Sequence, residues 1–131
     1  MAQASAGQGL QTRRVLVVED EFFIADDIRT ALDSAGAEVV GPVATCDEAL
    51  ALIHEQSGRI DLGVLDINLG GELCFPAAEV LARAGVPFIF TTGYQEAMLP
   101  PRFRHVTVWE KPFDPFSLVR SLPAVIARQE G

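Results

Sequence analysis

From Arg13 onward the chain alternates short apolar runs with amphipathic stretches. The runs are VLVV (15–18), AEVVG (37–41), LGVLD (62–66), VPFIFTT (86–92) and VTVW (106–109). Several are apolar at every position, as in strands covered on both faces by helices, and their alternation with helical periods predicts βα units and a parallel sheet. Between the first two runs Phe23, Ile24, Ile28, Ala31, Leu32 and Ala35 recur at helical spacing, and Gly36 provides a stop. Thr45 is the expected N-cap of a second helix, with Glu48 completing a capping box and Ala49, Leu50, Leu52 and Ile53 forming the buried stripe. A third helix is expected over residues 76–84. In the fourth crossover, 93–105, Pro100 and Pro101 stop any helix, so only a short or irregular turn around 95–99 is expected. Asp114 and Pro115 open the last helix as N-cap and first residue; it should bury Phe116, Val119, Leu122 and Ile126, with Pro123 a candidate kink.

Five strands with five crossovers give an α/β, doubly wound parallel sheet, whose working site lies at the carboxyl ends of the strands beside a topological switch point. The strand exits carry Glu19, Asp20 and Glu21; Asp66 and Asn68; Thr91 and Thr92; and Lys111. Carboxylates brought together repel one another and lose hydration unless a cation sits among them, and Mg²⁺ suits hard oxygen ligands of this kind. A carboxylate beside such a metal can attack phosphorus and form an aspartyl phosphate, while the metal, an amine and a hydroxyl share the charge of the transferred group. Taken singly, each residue has a plainer reading: an acidic residue caps the next helix, Lys111 is a solvated surface charge, and Thr91 or Thr92 is a β-branched strand residue. The convergence of four strand exits on one edge favours the chemical reading. Asp66 is the strongest single case, because it ends an apolar strand and is followed by Asn68, Gly70 and Gly71, which leave the backbone open to a ligand.

At 131 residues the chain suits one domain with a proper core. A net charge of −8 argues against nucleic-acid and anionic-membrane partners, since little here can replace counterions along a phosphate backbone. Cys46 and Cys74 follow no metal-ligand spacing and read as reduced thiols. No apolar run reaches bilayer length and residues 1–11 lack a signal-peptide pattern, so a cytoplasmic location is expected. The small, polar residues 1–12 are expected to be a disordered leader, and 13–131 a single domain with no effector domain after it.

The segments VLVVEDE (15–21), LGVLDIN (62–68), FTTG (90–93) and EKPF (110–113), in this order, resemble the response-regulator receiver domains of two-component signalling over about 13–128. The resemblance implies a flavodoxin-like fold with strand order 2-1-3-4-5. It implies Mg²⁺ held by Asp20 directly, by Glu19 through water, by the phosphoacceptor Asp66 and by the carbonyl of Asn68. Thr92 takes the family's hydroxyl position, Lys111 pairs with the phosphoryl oxygens, and Lys111–Pro112 resembles a common cis peptide. The switch aromatic of many receivers is replaced by Val108, with Trp109 next to it. FTTGY (90–94) and LDINLGGE (65–72) are similar to the FAT GUY subgroup of single-domain response regulators, which lacks that aromatic and has a poorly formed fourth helix; Tyr94 becomes the switch candidate. Trp109, His54 and His105 receive no role. The implied function is a phosphorelay one. A histidine kinase or phosphotransfer protein phosphorylates Asp66, the output is protein binding or a phosphate sink, and there is no enzymatic activity beyond self-phosphorylation and autodephosphorylation. The alternatives are a small Mg²⁺-dependent phosphatase of the haloacid dehalogenase type, which wants a second Asp where Asn68 stands, and a pseudo-receiver that binds partners unphosphorylated.

Overall fold

A computed structural model describes residues 8–93 and 99–130. Its main sheet contains β1 (Arg14–Val18), β2 (Glu38–Val43), β3 (Leu62–Asp66), β6 (Phe88–Thr92) and β7 (Val108–Glu110); a hairpin of β4 (Asn68–Leu69) and β5 (Glu72–Leu73) follows β3. The main sheet is parallel in the order β2-β1-β3-β6-β7, which is the expected 2-1-3-4-5 once the hairpin strands are set aside. The α-helices are α1 (Phe22–Ser34), α2 (Cys46–Glu55), α3 (Phe75–Arg83) and α4 (Pro115–Glu130). Among the described residues no helix is long and apolar enough to cross a membrane.

The unbroken apolar runs serve two cores at once. Leu16, Val18, Leu65 and Phe90 pack with Ala49 and Ile53 of α2 and Ala77 and Leu81 of α3. Val15, Val17, Leu62 and Val64 face the other way, onto Ile28 and Leu32 of α1 and Leu118 and Leu122 of α4. Successive strand residues thus point to opposite, equally dry faces. Gly63 lets α3 approach the sheet, since a Cβ there would lie 2.9 Å from Leu81 Cδ1.

The helix starts follow the sequence closely. Thr45 Oγ1 accepts from the Glu48 N–H at 3.0 Å, and the Glu48 carboxylate reaches back to the Ala44 N–H. Asp114 caps α4 through the Phe116 N–H at 3.0 Å. α3 begins at Phe75, one residue before the expected start. Two aromatics expected in the core are exposed, Phe23 at 79% and Phe116 at 45%, because the first turns of α1 and α4 overhang the end of the sheet.

The expectation of a disordered leader through residue 12 is corrected. Gln8–Leu10 form a 3₁₀ turn, Leu10 is fully buried in the α1/α4 core, and the Thr12 N–H donates to Gly36 O at 2.9 Å. An isolated leucine in a Gly-rich stretch carries no periodicity, yet here its burial orders the turn. Residues 1–7 lie outside the described residues. The β4–β5 hairpin was not expected either. Gly70 and Gly71, with φ of 64° and 102°, make its two-residue turn, a conformation that disfavours side-chain-bearing residues. In the fourth crossover only a short 3₁₀ turn, Pro101–Phe103, is described.

Candidate functional site

Four strands end at one edge of the sheet. Behind them lies Lys111, placed by the Lys111 N–H that donates to Thr92 O at 2.8 Å and followed by a cis Lys111–Pro112 bond. Its Nζ donates to Asp66 Oδ2 at 2.9 Å and to Glu19 Oε2 at 3.1 Å, and lies 3.9 Å from Glu21 Oε2. Asp66 is buried, and its other oxygen accepts from the Asn68 N–H at 3.1 Å. Glu19 is buried too and accepts from the Glu21 N–H at 3.0 Å. Asp20 is exposed at the mouth. In front is an open cleft of about 400 Å³, lined by Asp20, Glu21, Asp66, Asn68, Lys111 and the glycines 70, 71 and 93.

This arrangement holds more negative charge than Lys111 neutralises. Burial pushes Glu19 from 4.5 up to about 7; the Glu21 N–H opposes that rise, the charge of Asp66 adds to it, and Lys111 pulls against it. Burial likewise raises Asp66 against the pull of Lys111. For Lys111 burial works against the ammonium, but its hydrogen bonds to Asp66 and Glu19 outweigh that and raise its pKa.

The donor set fits a hard divalent cation. Glu19, Asp20 and Asp66 each offer a carboxylate oxygen, all within 4.8 Å of one another. Glu19 Oε1 is buried without a hydrogen-bond partner: Lys111 Nζ is 3.0 Å away but misaligned for a bond to that oxygen. A buried carboxylate oxygen in that state is costly and is relieved by a metal or its bound water. Gly70 borders the cluster, and a Cβ there would lie in ordinary contact with Asp20 Oδ2 at 3.5 Å.

Residues 15–122 match the family described as Response regulator receiver domain. The chain belongs to that family. Over 116 residues it is 30% identical to the transcriptional regulatory protein PdtaR of Mycobacterium tuberculosis, covering 86% of this chain and 55% of PdtaR. Over 104 residues it is 34% identical to the phyllosphere-induced regulator PhyR of Methylorubrum extorquens, covering 77% of this chain and 39% of PhyR. The chain therefore spans about half or less of the curated relatives it matches. Among solved structures, SdrG from Sphingomonas melonis superimposes with a TM-score of 0.76 at 37% identity, covering 95% of this chain and 99% of SdrG. PhyR from Brucella abortus gives 0.76 at 31% identity, covering 97% of this chain and 53% of that one.

Receiver domains typically bind Mg²⁺ in an acidic pocket, and in this receiver Glu19, Asp20 and Asp66 form an acidic cluster of that kind. The family is generally one of regulators rather than enzymes. Of the residues singled out in the sequence, Asp66, Asp20, Asn68 and Lys111 share one cleft, Glu19 sits behind it against Lys111, and Thr92 is buried at the end of β6 beside the Lys111 backbone. Tyr94, the switch candidate, lies outside the described residues. Val108 packs into the α2/α3 core, while Trp109 turns to the other face and meets Phe113 edge-on at 6.3 Å. Glu21, named among the strand-exit carboxylates but given no site role from the sequence, stands just before α1 with its Oε2 3.9 Å from Lys111 Nζ. Asn68 Oδ1 accepts from the Gly71 N–H at 2.6 Å, so its side chain is engaged in the hairpin turn.

Proposed function

We propose that this receiver accepts a phosphoryl group on Asp66 from the phosphohistidine of a histidine kinase or phosphotransfer protein. The observation that carries the reading is the Lys111 ammonium 2.9 Å from Asp66 Oδ2 at the back of an open acidic cleft. In the transfer an Asp66 oxygen attacks phosphorus, the P–N bond breaks, and its electron pair leaves with the donor imidazole. Lys111 moves from pairing the bare carboxylate to pairing the new phosphoryl oxygens, which conserves its charge balance. Thr92 supplies a hydroxyl from the end of β6 to the same group. Asp20, Glu19, Asp66 and the carbonyl of Asn68 would hold Mg²⁺, whose chemistry there is to neutralise charge on the transferred oxygens.

Phe22 and Phe23, 71% and 79% exposed and packed edge to face at 5.4 Å, follow directly in sequence on Glu21, which lines the cleft. An exposed aromatic pair beside a reactive carboxylate suits a protein donor better than a small one. Tyr94 remains the proposed switch residue in place of the missing strand aromatic. The output is protein binding, or drainage of phosphoryl groups from a shared kinase, and the lifetime of the adduct distinguishes the two.

The test is intact-mass measurement after incubation with acetyl phosphate and Mg²⁺. The expected result is one phosphoryl adduct that disappears in Asp66→Asn. Absence of an adduct in the unaltered protein, or its persistence in the variant, overturns the assignment; turnover of many phosphomonoesters would turn the reading toward the phosphatase.

A further inference from the structure

A second hollow lies far from Asp66. It lies at the opposite edge of the sheet, where β6 and β7 begin, and has a volume of about 590 Å³. Its walls are apolar, from Phe88, Phe103 and Val106, and its rim is basic, from Arg102, His105 and Arg128. The walls are fixed by an aromatic group: Phe103 stacks on Phe75 at 5.8 Å and meets Phe88 and Phe90 edge-on at 5.8 and 5.6 Å.

The charge of this rim runs against that of the whole protein. The chain has ten Lys and Arg and a net charge of −8, yet Arg102 and Arg128 line this hollow, Arg104 stands between the lining residues Phe103 and His105, and Arg83 shares Glu79 with Arg102. Among the described residues Glu79 is the carboxylate that answers them, pairing with Arg102 and, at 3.9 Å, with Arg83. Arg102 also lies over the Phe103 ring at 4.8 Å, and Arg128 donates to the Thr107 hydroxyl at 3.4 Å. Arg104 and His105 are exposed.

We propose that this hollow docks a short acidic segment of a partner protein that carries an apolar side chain. The apolar walls take the side chain and the arginines take flanking carboxylates; among the described residues neither Arg128 nor Arg104 pairs with a carboxylate, so both can turn toward them. Charge decides which polyanion fits. A nucleic acid or an anionic membrane would extend beyond the patch onto an acidic surface, within a screening length of about 8–10 Å, and be repelled. A short segment covers the basic rim alone. The proposal rests on this hollow only and is independent of what happens at Asp66.

The probe is a fluorescein-labelled synthetic peptide in which Glu and Asp flank one Leu and one Phe, with a second peptide carrying Gln and Asn in place of the acids. Anisotropy titrations and amide shift mapping are run with the full chain. Binding of the acidic peptide is expected to shift the Phe103, Val106 and Thr107 amides, to weaken roughly tenfold in Arg104→Glu/Arg128→Glu, and to weaken when salt rises from about 0.05 M to about 0.5 M. The uncharged peptide should bind at least roughly tenfold more weakly, a comparison that needs no variant to fold. Equal affinity for the two peptides, shifts elsewhere on the surface, or tighter binding of duplex DNA or phosphatidylserine vesicles overturns the proposal.

Discussion

Removing the charge at Glu19 should change how the stability of the metal-free protein depends on pH. Glu19 is 3% exposed, and its carboxyl group titrates near 7 instead of 4.5 because burial disfavours its charge. The folded state therefore holds this proton more tightly than the unfolded chain. Below pH 4.5 the group is neutral in both states and contributes nothing; between 4.5 and about 7 the unfolded chain ionises first, and the folded state loses stability as pH rises. The full shift corresponds to about 3 kcal/mol, and because the cleft opens to water beside Asp20 the effect in solution should be about 1–2 kcal/mol. For a chain of this size that is about 3–8 °C in Tm. Thermal melts in EDTA at pH 5 and pH 8 test this. The unaltered protein should lose that increment relative to Glu19→Gln, whose amide still accepts from the Glu21 N–H. Adding Mg²⁺ at pH 8 should return it to the unaltered protein and return less to the variant. Parallel pH profiles for the two proteins in EDTA would refute the reasoning.

Other consequences are more local. Leu10→Ala should destabilise the domain by about 2–4 kcal/mol in urea unfolding, although it lies in what the sequence presents as a leader. Gly63→Ala should lower stability by about 1–3 kcal/mol, since Leu81 must move from a position 2.9 Å from the new methyl group; a melt unchanged from the parent would contradict the packing. Lys111→Met should slow formation of the acetyl phosphate adduct by about tenfold or more in intact-mass time courses, because the charge opposite Asp66 is lost.

Much of this was legible because the strands are buried on both faces. VLVV and LGVLD have no polar position to break the run, so the sequence states both their strand character and their central place in the sheet, and the convergence of Asp66 and Lys111 follows from that. Phe23 and Phe116 misled for a related reason: helical periodicity shows which stripe is apolar but not where the sheet beneath it ends. The strands of the 68–73 hairpin are two residues each, too short for any period to register, although the Gly70–Gly71 pair marked the turn. Within the site, the residues alone did not divide the labour among Glu19, Asp20 and Glu21; only the family resemblance separated Asp20 from Glu19. Neighbours leaving a strand end turn in different directions, and only the fold decides that Glu19 goes inward to Lys111 while Asp20 faces water.

Gly9 stands so close to the last helix that a Cβ there would come within 2.7 Å of Pro123 Cβ, and Leu10 fills the adjoining space between α1 and α4. Tilting α4 would have to strip that leucine from its surroundings, about 1.5–3 kcal/mol for a full side chain. Mechanically, the last helix is moored by the 3₁₀ turn Gln8–Leu10. Any displacement set off at Asp66 should travel instead through β6 and the segment leading to β7. Amide exchange should report a slow, unchanging α4 beside a responsive edge.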